Sequence, residues 1–116
     1  MSLNSVLRRF RTSVAALDMP GVTIRHYWRS GLKAPFFIWA ETGDGGDRWT
    51  DNRRKYRNVG GTADYFTSTE LDPNVDTIES MFDELGCSWA LETVDFEEDT
   101  NMIHYSWIWS VADGSI

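Results

Sequence analysis

Beyond Arg57 the chain has no lysine or arginine, and it has a single cysteine, Cys87, and three prolines in 116 residues. A lone cysteine excludes an internal disulfide, and no Cys/His set exists for a structural zinc. The longest apolar run, from Ala34 to Ala40, is broken by Pro35 and is far too short to cross a bilayer. The N-terminus has no apolar stretch of the signal-peptide kind, so the expected setting is the reduced interior of a cell. What the chain does have is aromatic bulk. Six Trp, six Phe and four Tyr, with 41% hydrophobic and 25% charged residues, exclude a disordered tail or a fibrous repeat. The length fits one domain spanning residues 1–116.

The net charge of −7 makes the chain as a whole a poor coat for nucleic acid. That total hides a sharp division. Residues 1–57 hold all 11 bases and only five acids (Asp18, Glu41, Asp44, Asp47, Asp51), a net of +6. Residues 58–116 hold 13 acids and no base, a net of −13. Such a split is either a solvated surface or a basic face that meets the acidic face of an identical neighbour, and head-to-tail contacts of the second kind close into rings.

Leu3, Val6, Leu7, Phe10, Val14 and Leu17 recur at helical spacing, with Arg8, Arg9 and Arg11 between them. They predict an amphipathic helix over roughly 3–17, stopped by Met19-Pro20-Gly21. A second helix is marked by Asp72 as cap, Pro73 in the first turn, an apolar stripe of Val75, Ile78, Phe82 and Leu85, and Gly86 as terminator. Its other face carries Asp76, Glu79, Asp83 and Glu84. Between the helices the period falls to two. Strands are expected over Val22–Trp28, Pro35–Glu41, Arg53–Asn58 (polar on both faces, like a projecting arm) and Ala63–Ser68, the last entered through Gly60-Gly61. Trp89–Phe96 and Met102–Val111 read as a hairpin around the turn Glu97–Asn101. The order α-β-β-β-β-α-β-β implies an α+β fold, a largely antiparallel or mixed sheet with both helices on one face.

Few residues suggest chemistry. His26 and His104 are the only histidines, each inside a strand, with no nucleophile or third ligand implied by spacing; both read as ordinary sheet residues. The Asp44-Gly-Gly-Asp47 turn with Asp51 lacks the alternate ligands and terminal Glu of a calcium loop, and Glu97-Glu98-Asp99 reads the same way. Gly43, Gly45 and Gly46 lack the Lys-Ser/Thr of a phosphate cradle. Cys87 has no cation near it in sequence and reads as a small buried hydrophobe. No catalytic, metal or cofactor set is expected.

One cluster stands out. Arg48, Arg53, Arg54, Lys55 and Arg57 place five cations in ten residues, interleaved with Trp49 and Tyr56. Cations hold phosphate and aromatics stack on bases, so this is a candidate nucleic-acid contact. It also fits a docking arm for an acidic neighbour, and that reading is favoured because the acidic surface is present in the same polypeptide: Asp76, Glu79, Asp83 and Glu84 on the second helix, or Glu97, Glu98 and Asp99 in the turn.

Laid out in order, the chain resembles the small tail-completion (tail terminator, or head–tail joining) proteins encoded beside the major tail gene of long-tailed bacteriophages and prophages of Gram-positive bacteria. The segments that carry the resemblance are Val22-Thr-Ile-Arg-His-Tyr-Trp28, Gly61-Thr-Ala-Asp-Tyr-Phe-Thr67 with Asp72-Pro73, Cys87-Ser-Trp-Ala-Leu91, and Phe96-Glu-Glu-Asp-Thr100 leading to Ile103-His-Tyr-Ser-Trp107. No single motif is diagnostic; the match lies in their order across most of residues 20–110.

The resemblance implies a non-enzymatic structural protein of the virion, assembled in the host cytoplasm. It implies a ring, typically a hexamer, that caps the tail tube and gives the head connector a surface to bind. The partners are then further copies of the chain, the tail tube protein and the connector protein, with nucleic acid only passing through the lumen and no membrane involved. A head-closure or other minor virion protein is the nearest alternative. A nucleic-acid module built on Arg48–Arg57, and a ligand carrier or small enzyme with Trp89, Trp107 and Trp109 lining a pocket, are readings from other classes.

Overall fold

Two helices and five strands follow one another as α1 (Leu3–Ala15), β1 (Thr23–His26), β2 (Phe36–Asp44), β3 (Asn58–Thr67), α2 (Pro73–Leu85), β4 (Ser88–Glu97) and β5 (Met102–Ala112). The computed structural model describes residues 2–28, 30–44 and 58–112. The strands form one sheet in the order β1-β2-β3-β5-β4, so β1 and β4 are its two edges. β1 runs parallel to β2 and every other pair is antiparallel. The fold is α+β with a mixed sheet.

Both helices lie on one face. Val6, Phe10 and Val14 of α1 and Ile78, Met81, Phe82 and Leu85 of α2 share a core with Phe37, Trp39, Ala63, Tyr65, Trp107, Trp109 and Val111 of the sheet. The rings interlock, with Phe10 4.7 Å from Trp39 and 4.2 Å from Trp109, and Phe82 6.0 Å from Trp107 between ring centres. The opposite face holds only a small cluster, Phe36, Ile38 and Phe66, with Leu32 and Met102 against it.

α2 begins and ends where its sequence says. The Asp72 carboxylate accepts from the Asn74 N–H, Pro73 occupies the first turn, and Gly86 closes the helix with φ +80°. α1 is capped by the Ser2 hydroxyl, which accepts from the Ser5 N–H at 3.1 Å.

Two expectations change, and a third falls outside the described residues. β1 ends at His26 rather than Trp28, because Tyr27 adopts φ +77° and the Trp28 N–H turns back to the His26 carbonyl. Gly60-Gly61 lie within β3 rather than before it, with Gly61 opposite Trp109. The Trp109 indole packs directly over Gly61, where a β-carbon would overlap both that ring and the Ala40 carbonyl. The expected strand 53–58 lies outside the described residues except for Asn58, which opens β3.

Candidate interaction surfaces

α2 places its acids differently from one another. Glu79 accepts from the indole N–H of fully buried Trp107 at 2.8 Å, and Asp83 accepts from that of Trp89 at 2.8 Å. These two carboxylates fasten the helix to β5 and β4. Asp76 and Glu84, both exposed, instead line a cleft of about 600 Å³ between the helices, with Arg9 among the residues of the other wall. Glu97, Glu98 and Asp99 are exposed at the end of the β4–β5 hairpin. Arg48, Arg53, Arg54, Lys55 and Arg57, with Asp47 and Asp51, lie outside the described residues.

Each histidine pairs with one carboxylate. His26 on β1 meets Glu41 of β2 (Nε2–Oε1, 2.8 Å) and is stacked between Tyr27 and Trp39. The Tyr27 hydroxyl donates to the same carboxylate, which raises its own pKa. Burial pushes Glu41 up, but the bonds from Tyr27 and His26 outweigh it and hold the carboxyl below its ordinary range. His104 on β5 meets Asp64 of β3 at 2.7 Å and stacks on Phe66. Cys87 is half-buried, and burial pushes its thiol up to about 12, far from a reactive thiolate. Among the described residues no group of three or more His, Cys, Asp or Glu could hold a metal ion. Trp107 and Trp109 are buried core, and the indole of Trp109 donates to the Thr62 carbonyl at 2.9 Å.

A surface that sequence reasoning did not single out lies at the far end of the hairpin. Leu91, Val94 and Phe96 of β4 stand opposite Trp107, Tyr105 and Ile103 of β5, which puts them on the helix-bearing face. Yet Val94 is 51% and Phe96 58% exposed. The cause is length. α2, 13 residues, is about 20 Å long, whereas β5, 11 residues, runs about 37 Å. The start of α2 is tied to Tyr65, which faces Tyr105, so among the described residues the sheet beyond that level has no helix over it. Leu71, in the β3–α2 connection, is 95% exposed and has φ +53°. Together Leu71, Val94, Phe96, Ile103 and Tyr105 line a groove of about 650 Å³ with Glu70 on its edge. The signal was present in β4 as Leu91, Val94 and Phe96, but Glu92 breaks the alternation. The register shifts there, and the bulge restores all three to one face.

Among the described residues, part of the charge division along the chain is also a division in space. Arg8 and Arg11 of α1 sit beside His26 and Tyr27 at the β1 edge, and Arg25 is exposed on that strand. Glu92, Asp95 and Glu97 of β4 and Glu98 and Asp99 of the turn lie at the opposite edge, whereas Asp76 and Glu84 of α2 face the inter-helix cleft and Arg9. No helix among the described residues is long and apolar enough to cross a membrane. A scan against protein-family models finds no match for the chain, and a search of curated proteins finds none either.

Proposed function

We propose that this chain is a non-enzymatic structural subunit that assembles with copies of itself into a ring, typically a hexamer. The ring would cap the tail tube of a long-tailed phage or prophage and join it to the head connector. The observation that carries this reading is that Arg8, Arg11 and Arg25 stand at one edge of the sheet while the acids of β4 and the hairpin turn stand at the other. Two unlike, complementary surfaces on one subunit generate head-to-tail contacts, which close into a ring when the rotation per subunit permits. The order of segments that resembles the tail-completion proteins supports the same reading. So does the engagement of both histidines in single carboxylate pairs within the sheet.

The test is direct. Purified protein is added to polymerised tail tubes and to connector-bearing heads, and the products are imaged by negative-stain electron microscopy. A ring at one end of the tube, followed by joining to heads, is the expected result. Binding to heads alone would assign the chain to head closure, and binding to neither would refute the reading.

A further inference from the structure

We propose that the apolar groove at the end of the β4–β5 hairpin is the socket for the basic, aromatic corner of a second copy of this chain, with Trp28 as the residue that enters it. The proposal rests on the self-assembly reading above, and it specifies the contact.

The groove is concave and largely apolar, with Ser68, Glu70 and Asn101 also on its walls, and no described residue covers it. Its floor is Val94, Phe96, Ile103 and Tyr105, and Leu71 forms one lip. Glu70 lines it, the exposed Glu98 and Asp99 stand in the hairpin turn at its end, and no cation occurs anywhere in that half of the sequence. A fitting occupant is therefore apolar at its centre and positive at its margin. The β1 corner has that character. Trp28 is 74% exposed, Tyr27 beside it is half-exposed, and Arg25, Arg8 and Arg11 are exposed around them. Glu41, the acid next to this corner on β2, is bonded by His26 and Tyr27 and keeps its charge, but Arg8, Arg11 and Arg25 outnumber it and leave the margin positive.

Backbone strain points to the same two places. Only three non-glycine residues among those described have positive φ: Tyr27, Leu71 and Asn101. Asn101 is a common choice in a hairpin turn. For bulky Tyr27 and Leu71 the conformation is costly and is retained where it presents a side chain for use. One sits at the proposed plug, the other at the lip of the socket. The edges that carry plug and socket are about 19 Å apart across the sheet, so one subunit cannot satisfy itself. The contact joins unlike surfaces and propagates.

The experiment uses two full-length variants, Trp28→Ala and Phe96→Lys, both at exposed sites, with folding checked by circular dichroism and thermal midpoint. Self-association is followed by sedimentation velocity and native mass spectrometry up to millimolar protein. Wild type should assemble with concentration, and raised salt should weaken it. Each variant alone should associate at least about tenfold more weakly, as expected for loss of a central aromatic anchor. Mixed together, they should form a 1:1 dimer and nothing larger, since the mixture retains one intact plug and one intact socket.

If both variants assemble like wild type, or the mixture gains nothing over either variant, the plug-and-socket contact is overturned while a ring built another way remains open. A wild type that stays monomeric, yet loses tail binding on Phe96→Lys, would give the groove to a different partner and also overturn the proposal.

Discussion

The Asp72 carboxylate accepts from the Asn74 N–H at 2.9 Å, the Thr67 hydroxyl at 2.7 Å and the Tyr65 hydroxyl at 2.8 Å. Burial pushes this carboxyl up, but those three donors prevail and hold its pKa below the ordinary range. Burial and the neighbouring carboxylate push Tyr65 up to about 12, so its hydroxyl stays a donor at any ordinary pH. Because the Asp72 pKa is depressed in the fold, its contribution is complete above the unfolded value of about 4 and is lost as pH falls through the folded one. Replacing Asp72 by Asn should cost about 1–2 kcal/mol at pH 7. The gap to wild type should close on acidification below about pH 4, which urea melts across pH would measure; a gap independent of pH would show the charge to be unimportant. Gly61→Ala should cost about 1–3 kcal/mol in the same assay, because a β-carbon there drives Trp109 out of place. Asp72 was legible in the sequence as a helix cap. Its bonds to Tyr65 and Thr67 were not, since they join the helix start to β3 across a turn that no local pattern specifies.

Among the elements, α2 was the most legible because every local signal agreed: cap, first-turn proline, stripe and terminating glycine. Phe82 is fully buried and Leu85 nearly so, and both face the Trp-rich sheet. Changing either to Ala should destabilise the protein by about 2–5 kcal/mol in denaturant melts; a loss under about 0.5 kcal/mol would mean the site carries no packing. In β5 the large apolar residues Ile103, Tyr105, Trp107, Trp109 and Val111 alternate with smaller or polar ones in the sequence, and the last three are buried. β3 was misjudged at its start for a specific reason. A glycine pair ordinarily signals a loop, and only the ring from β5 gives Gly61 a role inside a strand. The parallel pairing of β1 with β2 was also beyond local reading, because alternation fixes which face a residue takes and not which way its neighbour runs. The bare end of the hairpin follows from a mismatch between a 13-residue helix and a 10–11-residue hairpin, a comparison of two elements rather than a property of either.

For the molecule as a whole, the segment 48–57 presents the sharpest test of charge-driven assembly. Its five cations carry little apolar surface to bury, so reversing Arg53, Arg54 and Lys55 to Glu should leave the thermal midpoint close to wild type. At an interface the same change sets like charges against each other, a penalty of several kcal/mol. On the proposed assembly, ring formation on tail tubes should therefore fail, and raised salt should weaken any ring the wild type forms, since exposed charges are screened over about 8 Å at physiological ionic strength. The choice of compensating change follows from the geometry. Reversing Glu79 or Asp83 would break the indole bonds that hold α2 on the sheet, confusing lost assembly with lost structure. Asp76 and Glu84 in the inter-helix cleft, or Glu97, Glu98 and Asp99 in the hairpin turn, have no such internal bond among the described residues. Changing one of these two sets to Lys in the triple-reversal background should restore assembly in part, and the set that does so identifies the surface the arm meets. The sequence made the charge division plain but could not distinguish these four helix acids from one another. Two of them bond an indole of the sheet and two do not, and only the positions of Trp89 and Trp107 decide which. If the triple reversal forms rings and joins tails as wild type does, the arm is a solvated surface and the ring is held by other contacts.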